Sequence, residues 1–194
     1  MNNSDFFIIW NTIFYCDNIT NIHFQKIKFD ESNPFSIEQL SLFKNLKHLK
    51  LENYSNVSFS INKIKKDNFN NLNHIFLFKN ENLLQKFVNT LFRYSNTNIM
   101  KLQLFDEIEN YILLTINEYY TNLINFSCSM NDNNYNSILS IIERSMYLNK
   151  LKIVIYEINN ITPNNILIKI SECFLKTLRS FRFNVFMKSI IIFI

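Results

Sequence analysis

Polar and apolar residues alternate in short bursts along this chain, and the bursts share one template. In "LKHLKL", Leu46, Leu49 and Leu51 occupy positions one, four and six. A helical face would want apolar residues at i, i+3, i+4 and i+7. The one-four-six spacing instead predicts a short strand entered through a leucine, with Leu49 and Leu51 on one side of it.

The template recurs. Ile19, Ile22 and Phe24 meet it in "ITNIHF", and Leu72, Ile75 and Leu77 in "LNHIFL". Ile99, Leu102 and Leu104 follow, then Leu123, Phe126 and Cys128. Leu148, Leu151 and Ile153, and finally Leu178, Phe181 and Phe183, complete the series. The starts at 19, 46, 72, 99, 123, 148 and 178 differ by 27, 26, 27, 24, 25 and 30 residues, so this is a repeat protein.

The intervening segments read as helices. Tyr135, Ile138, Leu139, Ile142 and Met146 form an amphipathic stripe, as do Leu84, Phe87, Val88 and Leu91. Phe6, Ile9, Trp10, Ile13 and Phe14 predict a leading helix over 4–15. Thr162 and Pro163 pair as N-cap and first-turn residue ahead of Ile166, Ile170, Cys173 and Phe174. The lysine-rich stretch from Val57 to Asn71 shows no helical pattern. Strand then helix, repeated, demands a parallel sheet with helices on one side.

Composition changes the picture by exclusion. The chain has 194 residues, 47% hydrophobic and 19% charged, enough for one core and ordinary for a globular protein. Asparagine makes up about a sixth of it and glycine is absent, the signature of an AT-rich coding sequence. Without glycine the phosphate-binding loops, dinucleotide fingerprints and hydrolase nucleophile turns are excluded in their standard form. Cys16, Cys128 and Cys173 are odd in number and far apart, which suits a reducing compartment, cytoplasm or nucleus. No apolar run has membrane-spanning length. The sequons at Asn18, Asn56 and Asn125 arise by chance in so Asn-rich a chain.

With the motif established along nearly the whole chain, the sequence resembles the leucine-rich repeat proteins, whose pattern L-x-x-L-x-L-x-x-N/C it meets at all three apolar positions. The ninth position holds Asn80 and Asn131, but Tyr54, Glu107, Tyr156 and Ile27 elsewhere. The resemblance is greatest to the intracellular repeats found behind F-box domains, although no F-box is visible. It implies an α/β fold, a right-handed solenoid or horseshoe with a parallel concave sheet and convex helices. It implies one domain over 1–194 of about seven units, with 184–194 as an apolar tail. By resemblance, the role would be substrate recognition for a ubiquitin ligase, through a Skp1-type adaptor. The alternatives are a standalone binding module unrelated to ubiquitin, or a nonfunctional fragment of a larger repeat protein.

A partner would sit on the concave face, at positions three, five and seven. These are Asn21, His23 and Gln25, then His48, Lys50 and Glu52, then His74, Phe76 and Phe78. They continue with Lys101, Gln103 and Phe105, and with Asn125, Ser127 and Ser129. Lys150, Lys152 and Val154, then Ser180, Arg182 and Asn184, end the set. Lys50, Lys101, Lys150, Lys152 and Arg182 oppose Glu52 alone, a net of +4 that equals the charge of the whole chain. The expected partner is therefore a protein, and an acidic one, although lysines also keep any solvated strand soluble. Phe76, Phe78 and Phe105 form the candidate hot spot. His48 and His74 fall at one position of adjacent repeats, but surface histidines without a metal are the expectation. No cofactor is implied. No nucleic-acid motif appears, and no nucleophile-base or carboxylate pair converges, so neither nucleic-acid binding nor an enzyme is expected. The tail "SIIIFI", apolar and uncharged, predicts a sticky edge and better solubility once 188–194 are removed.

Overall fold

The computed structural model describes residues 18–25, 35–36, 40–52, 57–58, 69–78, 85–95, 99–105, 110–156, 162–173, 177–187 and 190–193. They belong to two compact units, Met1–Asn98 and Ile99–Ile194, both built of strands and helices. The helix expected over 4–15 lies outside the described residues, as do Asn80 and Phe174.

In the first unit, β1 (Asn21–Gln25), β3 (His48–Glu52) and β5 (His74–Phe78) pair parallel in that order. Each begins at position three of its motif. Burial alternates along them, with the leucine-type positions inside and the polar ones outside. Register follows the repeat: His48 pairs with Asn21 and with His74, Leu49 with Ile22 and Ile75. Two further strands, β2 (Phe35–Ser36) and β4 (Val57–Ser58), pair parallel in a sheet of their own. Part of the helix-free lysine-rich stretch is thus extended backbone. Helix α1 spans Gln85–Tyr94.

In the second unit, β6 (Lys101–Phe105), β7 (Asn125–Met130), β8 (Lys150–Tyr156) and β9 (Ser180–Met187) are parallel neighbours. Helices α2 (Asn110–Tyr119), α3 (Tyr135–Arg144) and α4 (Pro163–Glu172) alternate with them. The apolar run near the end is also a strand: β10 (Ile190–Phe193) turns back and pairs antiparallel with β9.

One backbone device repeats at the foot of the strands. The carbonyl of position two accepts from the N–H groups of positions two and three of the next repeat. Thr20 accepts from Lys47 and His48 at 2.8 and 3.0 Å, and Lys47 from Asn73 and His74 at 3.0 Å each. Met100, Ile124 and Asn149 do the same for the residues that open β7, β8 and β9. Parallel pairing with its evenly spaced, slanted bonds thus starts at a fixed point in each repeat.

The core lies along positions one, four and six. Leu49, Leu51, Ile75, Leu102, Phe126, Cys128, Leu151 and Ile153 are all at most 2% exposed. Helices close it with Leu113 and Ile116 of α2, Ile138 and Ile142 of α3, and Ile166 and Ile170 of α4. Each such side chain contributes about 1.5–3 kcal/mol on leaving water. In three repeats a further apolar residue, three positions before the motif, joins the core. Phe43, Phe69 and Tyr120 are buried there, and the N–H of Leu46 and of Leu72 donates to the carbonyls of Phe43 and Phe69 at 3.0 Å.

Three helix ends are satisfied by side chains close in sequence. The Thr162 side chain accepts from the Asn165 N–H at 3.3 Å as the N-cap of α4. The buried hydroxyls of Ser95 and Ser145 donate back to the last turns of α1 and α3, to Phe92 and Ile141. Asn131, at the ninth position, serves its own loop: its side-chain oxygen accepts from the N–H groups of Asn133 and Asn134 at 3.0 Å. It thereby sets the turn into α3.

Candidate functional site

Positions three, five and seven point away from the core in both units. In the first unit they form two clusters. His48 and His74, paired in register, meet Nδ1 to Nδ1 at 3.2 Å with their rings nearly perpendicular. Beside them Lys50 sets its ammonium 4.8 Å from the ring centroid of its strand partner Phe76, whose ring lies 6.4 Å from that of Phe78.

Lys50 is not a free charge. Its Nζ lies 3.0 Å from one Glu52 oxygen, and His23 Nε2 lies 2.8 Å from the other. Burial alone would raise the Glu52 carboxyl, but hydrogen bonds from Lys50 and His23 outweigh it and hold the group below its ordinary value of 4.5. The positive excess expected across the whole face is therefore offset in this unit.

The second unit differs. Lys101, Lys150 and Arg182 are exposed, while Gln103, Phe105 and Lys152 are half-buried. Lys152 and Arg182 are directly paired across β8 and β9, and Lys150 stands two residues before Lys152 on the same face. Lys152 leans the other way across β7 and places its ammonium 5.0 Å from the ring centroid of Phe105 on β6. Beneath that bridge Ser127 and Ser129 are buried, at 9% and 4% exposure, and so is Val154 of β8. These three were expected on the accessible face. The reason is local packing: Ser127 stands between the longer Gln103 and Lys152, while Ser129 and Val154 are cross-strand partners that pack side by side. The Ser129 hydroxyl has no hydrogen-bond partner.

Of the three candidate aromatics, Phe76 and Phe78 are neighbours in the first unit, whereas Phe105 belongs to the second and is matched with Lys152. Among the described residues no group of three or more His, Cys, Asp or Glu could hold a metal ion. Burial drives the Cys128 thiol far above the usual range, as its core position anticipates. Cys173, half-buried and close to Glu143, is pushed up to about 11, first by burial and then by that carboxylate. No helix among the described residues is long and apolar enough to cross a membrane.

A scan against models of known protein families gives no match, and a search of curated proteins gives none either.

Proposed function

We propose that the chain is a protein-recognition module of the leucine-rich-repeat solenoid class, binding its partner on the sheet face opposite the core. The observation that carries this reading is the pairing of half-exposed aromatic rings with cations on outward strand positions: Phe76 with Lys50, Phe105 with Lys152. Aromatic rings suit an interface, because they bring large contact area at little cost in conformational entropy, and a lysine already held on a ring has less freedom left to lose. Repeats of 24 to 30 residues, paired position for position, support the class.

The test is affinity purification from native cells with quantitative mass spectrometry, comparing the intact chain with a Phe76→Ser, Phe78→Ser, Phe105→Ser variant. A protein recovered with the first and lost from the second supports the reading. Identical recoveries overturn it. A Skp1-type adaptor and cullin among the recovered proteins would add the ubiquitin-ligase role.

A further inference from the structure

On the outward face of β6–β9 every charged side chain at positions three, five and seven is a cation. Lys150, Lys152 and Arg182 form a triangle, two of its corners being cross-strand partners. Lys101 lies in the row of Lys150, with Asn125 between them. Like charges directly opposite in a sheet are destabilising, so this arrangement costs stability unless something offsets it. Among the described residues the Phe105 ring receives Lys152, but no carboxylate pairs with Lys150, Lys152 or Arg182: the ion pairs there are His23–Glu52, Lys50–Glu52 and Lys169–Glu172. The contrast with the first unit, where Lys50 has its own carboxylate, shows that the sheet does not leave lysines unmatched everywhere.

We propose that this face seats an extended, acidic segment of a partner protein. The proposal rests on the protein-recognition reading and names the chemistry of the partner. Alternate residues of an extended chain lie about 6.6–6.8 Å apart. The same rise separates Lys150 from Lys152 along β8. A segment laid along that strand, with Asp or Glu at every second position, meets both lysines in step. Arg182, one strand spacing of about 4.8 Å away, offers a planar fork to the carboxylate that faces Lys152. Phe105, half-buried on β6 and in contact with Lys152, takes an apolar residue of the segment. Neutralising the triangle removes the repulsion between Lys152 and Arg182, so binding and stability rise together.

The test uses the full chain and fluorescence anisotropy with a labelled peptide of alternating Glu and Ser. Its Gln-for-Glu counterpart and a short oligodeoxythymidylate serve as competing probes. The expected result is binding of the acidic peptide that weakens with salt. The variant Lys150→Gln, Lys152→Gln, Arg182→Gln should lose roughly tenfold in affinity, a few-fold for each exposed charge pair. A control carrying Lys44→Gln, Lys47→Gln and Arg144→Gln removes the same charge from exposed positions elsewhere, and should stay within about twofold of the intact chain. Equal losses in both variants overturn the proposal, because bulk charge would then explain the binding. Tighter binding of the oligonucleotide, lost in the triangle variant, overturns it in favour of nucleic acid. A photocrosslinker in place of Gln103 separates the two readings. A protein partner crosslinked equally well by the triangle variant overturns the acidic segment and leaves protein recognition standing. No crosslinked protein from either chain overturns both.

Discussion

His48 and His74 stand opposite each other on adjacent parallel strands and share a single hydrogen between their Nδ1 atoms. When both rings are neutral, one must donate from Nδ1 while the other accepts there and carries its hydrogen on Nε2. Nitrogen NMR of the two imidazoles should therefore resolve opposite tautomers. Replacing His74 by Phe should abolish the distinction and lower stability by about 0.5–1.5 kcal/mol, the worth of one neutral hydrogen bond.

Glu52 makes acid stability testable. Its carboxyl is held below 4.5 in the folded chain, so the unfolded chain takes up a proton first as pH falls. Its contribution is complete above about 4.5 and is lost as pH falls through the lower folded value. Urea midpoints measured from pH 7 to pH 3 should decline less steeply for Glu52→Gln than for the intact chain. An unchanged slope would mean that Lys50 and His23 do not hold the carboxylate in solution.

The bridge between Lys152 and Phe105 should appear as coupling. A double-mutant cycle with Lys152→Met and Phe105→Leu is expected to give about 0.5–1 kcal/mol. Ser129→Ala, beneath the bridge, should be neutral or stabilising by up to about 1 kcal/mol, because it removes a buried hydroxyl that has no partner. Denaturant unfolding reads both.

Buried and far above its usual range, the Cys128 thiol should resist alkylation at pH 8 until the chain unfolds. Cys173, pushed up to about 11, should react slowly but without unfolding. Mass spectrometry of pulse-labelled protein distinguishes them. Cys128→Ser should cost about 1–3 kcal/mol by placing an unpaired hydroxyl in the core.

How much of this was legible in the sequence depended on whether a signal was periodic. Leu49, Leu51, Ile75 and Leu77 declared their side of the strand because spacing alone assigns a face. The cross-strand meeting of His48 and His74 followed from the same arithmetic. Pairing of β2 with β4 did not, since two residues carry no period. Helix α2 was expected only from the general rhythm, its apolar residues falling partly on an exposed face that includes Leu114. The burial of Ser127, Ser129 and Val154 was hidden for another reason. It depends on what the neighbouring side chains cover, and that is not a property of the buried residue's own position. Asn131 was identified by its place in the motif, but its bonds to Asn133 and Asn134 are a matter of loop conformation.

The small side chains of β7 have a consequence that reaches beyond their own strand. Ser127 and Ser129 are buried on the strand that Lys152 crosses to reach Phe105, and their small size leaves that side chain a way across. A bulkier residue at either position is expected to weaken the contact between the ammonium and the Phe105 ring. The relief map of this surface is thus drawn partly from below: where Lys152 displays its charge depends on residues that the surface itself hides.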